Sequence, residues 1–409
     1  RPEFALGVLA AYEGDVAKAA PNVIAEYKKN PMLSELKVDG KIYFQPISWG
    51  DGVYPNMGLL HVRKDLLDKY GMEPPETFED FFKYLEVAKV NGDGRLIFQG
   101  QEGVGPAINA FAGAYGLPWR GWVKKDSNYE YYAIQPDMKK ALLLFRKMFT
   151  KSLVSPKVWE LDADTARTTW VSGKASAGIF NGGGHIGRMQ NDMDLVGKGA
   201  KEWLLPAPLL ESTGKRGYTG EPMFWGTGWL GGMKHNNPVA AARVINFLIS
   251  DEGYKLTTIG IEGRDYVVEN GEIKFLPQRT KDGFPTVLGD TGAHPLAAGI
   301  VSWQPQKWQD WQLLYGKEQA FKKWYKNMWE NQGKYQTKTY GVITTTPKWD
   351  DFIATSEELV TRAFVNIVEA TSEEEASALF DKFVSDWLKA GGAMAQKEMS
   401  ENLSKIDSE

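Results

Sequence analysis

Residues Glu221 to Leu256 read EPMFWGTGWLGGMKHNNPVAAARVINFLISDEGYKL, and the rest of the chain is best understood outward from them. Met223 to Gly232 alternates bulky and small residues, the pattern of a buried strand or a hinge segment. Asn237 is suited to cap a helix and Pro238 to open it, because the first helical N–H has no partner to lose. Ala241, Val244, Ile245, Leu248 and Ile249 recur at helical spacing, so Pro238 to Ser250 is expected to be an amphipathic helix. Asp251-Glu252-Gly253-Tyr254 ends it and starts a second, short one.

The chain has 409 residues, enough for two domains with formed cores. Hydrophobic residues make up 43% and charged residues 24%, as in a soluble globular protein. A net charge of −4 with both signs interspersed gives no basic surface for nucleic acid. No stretch has the length of a transmembrane helix, and none reads as a signal peptide. With no cysteine there is no disulfide and no thiolate chemistry, which suits an exported bacterial protein without fixing the compartment. The unusual numbers are 15 Trp and 17 Tyr: a flat apolar face with one polar handle serves cores and binding surfaces alike, and about two-thirds of the tryptophans are expected in cores.

Helical periodicity over Val16 to Tyr27, with Asp15 as a possible cap, is divided by Pro21 into two short helices. Asp39-Gly40-Lys41-Ile42-Tyr43-Phe44-Gln45-Pro46 is a turn and a short strand, and Gly58 to Leu67 a strand running into a helix. In Pro75-Glu76-Thr77-Phe78-Glu79-Asp80-Phe81, Thr77 and Asp80 form a capping box. A helix from Ala107 to Tyr115 precedes the loop Trp119-Arg120-Gly121-Trp122. Tyr129 to Ile134 is a strand, Pro136 to Phe149 an amphipathic helix, Asp162 to Ser172 a further helix, and Ala175 to Phe180 a strand. Val267 to Leu276 is a hairpin turning at Asn270-Gly271. Thr355 to Val368 and the segment after Thr371-Ser372-Glu373-Glu374 are scaffold helices.

Three of these landmarks, in this order, resemble one family: the Asp39–Pro46 run, the P-x-T-F-x-D-F pattern at Pro75–Phe81, and the Gly-rich strand, Asn-Asn-Pro cap, helix and Asp-Glu-Gly of the central stretch. The family is that of the extracellular solute-binding proteins, family 1-like, of carbohydrate ABC importers. The resemblance covers nearly the whole chain and is sharpest to the branch of alginate-oligosaccharide-binding proteins and Gram-positive lipoproteins. It implies an α/β, two-lobed periplasmic-binding-protein-like fold with a hinge, an interlobe cleft and a helix-rich C-terminal part. Residues 1–108 would form the first lobe, without the family's usual opening strand–helix–strand unit. Residues 109–275 would be mainly the second lobe, and 276–409 the cleft segment, the return to the first lobe and the C-terminal helices.

The implied function is non-catalytic binding of an oligosaccharide and its delivery to the membrane subunits of an ABC transporter. The protein would be an extracellular monomer, lipid-anchored to the cell membrane of a Gram-positive bacterium or periplasmic, with no cofactor and no nucleic-acid partner. A sugar site needs aromatic rings for C–H faces beside polar groups for hydroxyls. The candidate stacking residues are Trp49, Tyr54, Trp119, Trp122, Trp225 and Trp303. The candidate hydrogen-bonding residues are Asp51, Arg120, Asn181, His185, Glu221, Arg264, Gln304 and Lys307.

The resemblance places Asn181 to His185, the Gly260–Tyr266 loop (G-x-E-G-x-x-Y), Trp303 and Gln304 at the cleft. For Trp119-Arg120-Gly121-Trp122, stacking on sugar and covering a domain edge are readings of equal weight. His185 has no other histidine at metal or triad spacing, which favours a hydrogen-bonding or structural role. Arg120, Lys124, Arg264 and Lys307 would admit an acidic sugar, while neutral oligosaccharides fit as well. Asn91-Gly92-Asp93-Gly94-Arg95 has the look of a calcium loop, but Lys89 stands where the first ligand belongs and Leu96-Ile97 where the late acids do, so a tight turn is expected and no metal. The alternative function is a glycoside hydrolase or polysaccharide lyase using Asp51 and Glu221; no motif marks either of them among 52 acidic residues.

Overall fold

The computed structural model describes residues 11–29, 40–48, 59–118, 120–180, 202–204, 218–219, 224–229, 237–269, 272–276, 336–337, 339–341 and 344–408, with the single positions 33, 37, 322 and 326. Some helices begin on side-chain caps legible in the sequence. Thr77 accepts from the Asp80 N–H while Asp80 accepts from the Thr77 N–H, the reciprocal box that opens Phe78–Val90. Asn237 Oδ1 accepts from the Ala240 N–H at 3.0 Å and Pro238 is the first helical residue of Pro238–Leu248. Pro21 separates Gly14–Ala19 from Pro21–Lys29; the residue preceding the first of these is Glu13, and Asp15 lies in its first turn.

The chain divides into two compact units, one of Arg1–Tyr54 with Pro222–Gly316 and one of Pro55–Glu221 with Lys317–Glu409. The boundary expected after residue 108 falls inside the helix Gly105–Ala112. Ala107, Ile108, Phe111 and Ala112 of that helix all pack into one core. The boundary expected at 275/276 likewise falls inside the first unit.

In the second unit a four-stranded sheet runs in the order Leu96–Phe98, Ala177–Phe180, Leu59–Arg63, Glu202–Leu204. Its first pair is parallel and the other two are antiparallel. Gly105–Ala112 and Pro347–Glu369 both pack on the helix Pro136–Thr150, which buries Met138, Ala141, Leu142, Phe145 and Met148. Each of Met138, Leu142, Phe145 and Met148 withdrawn from water contributes about 1.5–3 kcal/mol before chain entropy is set against it.

The C-terminal part is three helices, Pro347–Glu369, Glu373–Trp387 and Ala393–Ser408. The first starts earlier than the expected Thr355: Thr346 is its cap, and Ser356 is buried mid-helix, accepting from Trp387 Nε1 at 2.8 Å. The third was not anticipated from the sequence, because its buried Ala395, Met399 and Leu403 give only a sparse apolar stripe. Arg146, itself buried, donates Nε and Nη2 to the Ala370 carbonyl at 3.0 and 2.7 Å and so closes the C-terminal end of the first of these helices.

In the first unit, strand Phe44–Ser48 pairs antiparallel with Phe224–Trp229. Asn22 joins the N-terminal helices to Pro238–Leu248: its N–H donates to Asn246 Oδ1 at 2.7 Å and its Nδ2 to the Asn246 carbonyl at 3.0 Å. The buried face of Pro238–Leu248 is Ala242, Ile245 and Leu248; Val244, expected on that face, is 56% exposed. The hairpin is as expected, Tyr266–Glu269 against Glu272–Phe275 with Glu269 opposite Glu272.

Candidate functional site

The loop from Gly260 to Tyr266 is built around one buried carboxylate. Asp265 is fully buried, and its oxygens accept from the Ile261 N–H at 2.8 Å, Arg264 Nε at 2.9 Å and Arg264 Nη2 at 2.8 Å. Gly260 lies against this carboxylate at φ +104°, where an added Cβ would stand 2.2 Å from Asp265 Oδ2, so only glycine fits. The loop is closed by Gly263 N–H to Tyr266 C=O at 2.7 Å and Asp265 N–H to Ile261 C=O at 2.8 Å. Arg264 is thus gripped side-on while 58% of its side chain stays exposed. Its hydrogen bond to Asp265 holds its pKa above the ordinary arginine value. At the end of the loop, the ring centre of Tyr266 lies 5.1 Å from Lys255 Nζ. Asp265 was missed in the sequence because one acid in a short polar loop has no periodic signature.

Trp122 corrects the sequence reading. It opens the strand Trp122–Lys125 and is fully buried, with Tyr131 5.4 Å away and Trp349 edge-on at 5.2 Å. Gly341 closes on its edge, where a Cβ would lie 2.5 Å from Cδ1. Its backbone exchanges hydrogen bonds with Tyr340. Its ring has no open face for a sugar; it belongs to the core. Arg120, two residues earlier, is partly exposed, and its carbonyl accepts from Thr339 Oγ1 at 2.9 Å. Lys124 ties its strand to the last helix through Asp407 at 2.5 Å, to which Tyr129 Oη also donates.

Trp225 stands at a break in strand register. Ile47 pairs with Gly226 and Ser48 with Phe224, which leaves Trp225 as the extra residue of a β-bulge. Trp49, Asp51, Tyr54, Trp119, Asn181, His185, Glu221, Trp303, Gln304 and Lys307 lie outside the described residues.

Asp93, in the turn Asn91–Arg95, accepts from Lys69 Nζ at 2.7 Å and Tyr70 Oη at 2.5 Å, so a tethered ammonium already faces this carboxylate. Among the described residues no three acidic or histidine side chains are grouped to hold a metal ion.

The family model of the bacterial extracellular solute-binding proteins matches residues 9–255. The chain belongs to that family. The lipoprotein LipO of Bacillus subtilis (strain 168) is 24% identical over 278 residues, 61% of this chain and 51% of LipO, so the match spans about half of that relative. Among solved structures, the alginate-binding protein AlgQ2, crystallised without calcium ion, superposes with a TM-score of 0.70 at 17% identity, over 97% of this chain and 82% of its own. The N-glycan transport solute-binding protein NgtS of Streptococcus pneumoniae, in complex with Man1GlcNAc, gives 0.61 at 14%, over 100% and 85%. At such identities these likenesses establish the fold, the two-lobed α/β fold of periplasmic-binding-protein type.

Proposed function

We propose that this solute-binding protein takes up an oligosaccharide without turning it over and delivers it to the membrane subunits of an ABC importer, as a lipid-anchored extracellular monomer. The observation that carries this is the family match over residues 9–255, within a chain whose whole length follows the fold of proteins named for binding alginate and transporting N-glycans. The similarity to a Bacillus lipoprotein supports the anchor.

The cleft expected from the sequence would hold the sugar. Trp49, Tyr54, Trp119, Trp225 and Trp303 would stack on its rings, and Asp51, Arg120, Asn181, His185, Glu221, Arg264, Gln304 and Lys307 would bond its hydroxyls and acids. The anchored Arg264 fits its role. Trp122 is withdrawn from them.

The test is a thermal-shift screen against plant and algal oligosaccharides, with each mixture then chromatographed for cleavage. A ligand present at 100 times its Kd stabilises the native state by about 2.7 kcal/mol. For a unit of this size that is a rise of roughly 5–10 °C in melting temperature. A rise with the sugar recovered intact is expected. Cleaved sugar, or no shift from any oligosaccharide, overturns the proposal.

A further inference from the structure

The geometry points to a second level of recognition: Asp265 is a positioning residue that presents Arg264 as a fork for the carboxylate of an acidic, uronate-containing oligosaccharide. This rests on the oligosaccharide-binding reading above and narrows it to a ligand class. A guanidinium has five N–H donors in one plane, on two edges that each match a carboxylate. Asp265 occupies one edge, through Nε at 2.9 Å and Nη2 at 2.8 Å. Both Nη1 hydrogens and the second Nη2 hydrogen remain, and among the described residues no acceptor takes them. That remaining edge has the spacing for a second bidentate carboxylate.

The anchoring is what separates Arg264 from an ordinary surface arginine. A mobile arginine loses rotamer freedom when it binds, and an exposed ion pair returns little for it. Here that freedom is already lost, because Asp265 is wholly buried and is itself fixed by the Ile261 N–H at 2.8 Å. Gly260 has no Cβ, so the loop wraps the carboxylate closely. A fork held this way meets its ligand preorganised. Lys255, in the turn Lys255–Ile259 before the loop, lies over the ring of Tyr266.

The experiment is isothermal titration of the full chain with tri- and tetrasaccharides of galacturonate and of mannuronate, with their carboxyl-reduced neutral counterparts, and with a sulfated oligosaccharide. The variants are Arg264→Gln, Arg264→Lys and Asp265→Asn, each checked for an intact melting transition. The wild type is expected to prefer a uronate oligomer over its reduced counterpart by about 10- to 100-fold, the range for hydrogen bonds between charged groups. Arg264→Gln is expected to abolish that preference, and Arg264→Lys to retain only part of it, since an ammonium cannot fork. Asp265→Asn is expected to weaken the preference while the arginine charge remains, which a purely structural carboxylate would not do. Where this buried substitution prevents folding, the two Arg264 variants decide.

A preference that survives Arg264→Gln overturns the inference, and so does equal binding of acid and neutral forms. Binding of the sulfated sugar in place of the uronates overturns the carboxylate assignment. Tight binding of neutral sugars alone removes this inference and leaves the oligosaccharide function standing. Failure of every oligosaccharide to bind removes both.

Discussion

His61 makes the second unit acid-sensitive, by an amount that follows from its surroundings. It sits in the strand Leu59–Arg63, fully buried, between Gly178 on one neighbouring strand and Leu204 on the other. Its ring meets Phe180 edge-on at 5.4 Å and Trp170 at 6.3 Å. Burial among these rings penalises the imidazolium and lowers the pKa from 6.5 to about 3. A group depressed in this way contributes its full stability above the unfolded pKa. As pH falls below 6.5 the unfolded chain binds a proton that the folded chain refuses, and the contribution is lost progressively until the folded pKa near 3. One pKa unit corresponds to about 1.4 kcal/mol, so the loss is about 2 kcal/mol at pH 5 and about 3 kcal/mol at pH 4.

The measurement is urea denaturation followed by far-UV circular dichroism and tryptophan fluorescence at pH 7.5 and pH 5. Wild type is compared with His61→Phe and His61→Gln, neither of which titrates. Carboxylates elsewhere titrate equally in all three proteins and cancel in the difference. The variants are expected to lose about 2 kcal/mol less than wild type between the two pH values, whatever their stability at pH 7.5. Equal pH dependence in wild type and variants would refute the reasoning, because it would mean that the folded strand accommodates a charged imidazole.

Two further outcomes follow from the same core. Trp122→Ala should destabilise the second unit by about 3–5 kcal/mol in urea titration, since a fully buried indole packed by Tyr131 and Trp349 leaves a large void; wild-type stability with lost sugar binding would restore it as a stacking platform. Arg146→Met should cost about 2 kcal/mol, because it removes two charge-assisted bonds to the Ala370 carbonyl at the end of Pro347–Glu369 and keeps only the apolar stem. Arg146→Lys should recover about half of that, and an unchanged urea midpoint in Arg146→Met would show that another donor satisfies the carbonyl.

Local chemistry was the legible part of this chain. The box at Thr77 and Asp80, the Asn237 cap and the Pro21 break each depend on bonds spanning four residues or fewer, and each is found where the sequence puts it. The same holds for the apolar face of Pro136–Thr150. Periodicity misled where the partner was remote. Ala241 and Ala242 both suit a buried stripe, and the packing of Pro238–Leu248 against Gly14–Ala19 and Pro21–Lys29 takes Ala242 and leaves Val244 exposed.

By itself the sequence determined the solute-binding fold, through the order of its landmarks, and the residue types a sugar site requires. Tertiary structure decided which of those residues are available. The tryptophans of Trp119-Arg120-Gly121-Trp122 are alike in sequence, yet Trp122 is claimed by the core because Trp349 and Gly341, from the far end of the chain, close over it. Arg264 is a candidate hydrogen-bonding residue in the sequence, but only the structure shows Asp265 buried against it, taking one edge of the guanidinium and leaving the other. Capping and periodicity are set by neighbours within a turn or two, whereas burial and charge pairing are set by whatever the fold brings near, and that no local stretch encodes.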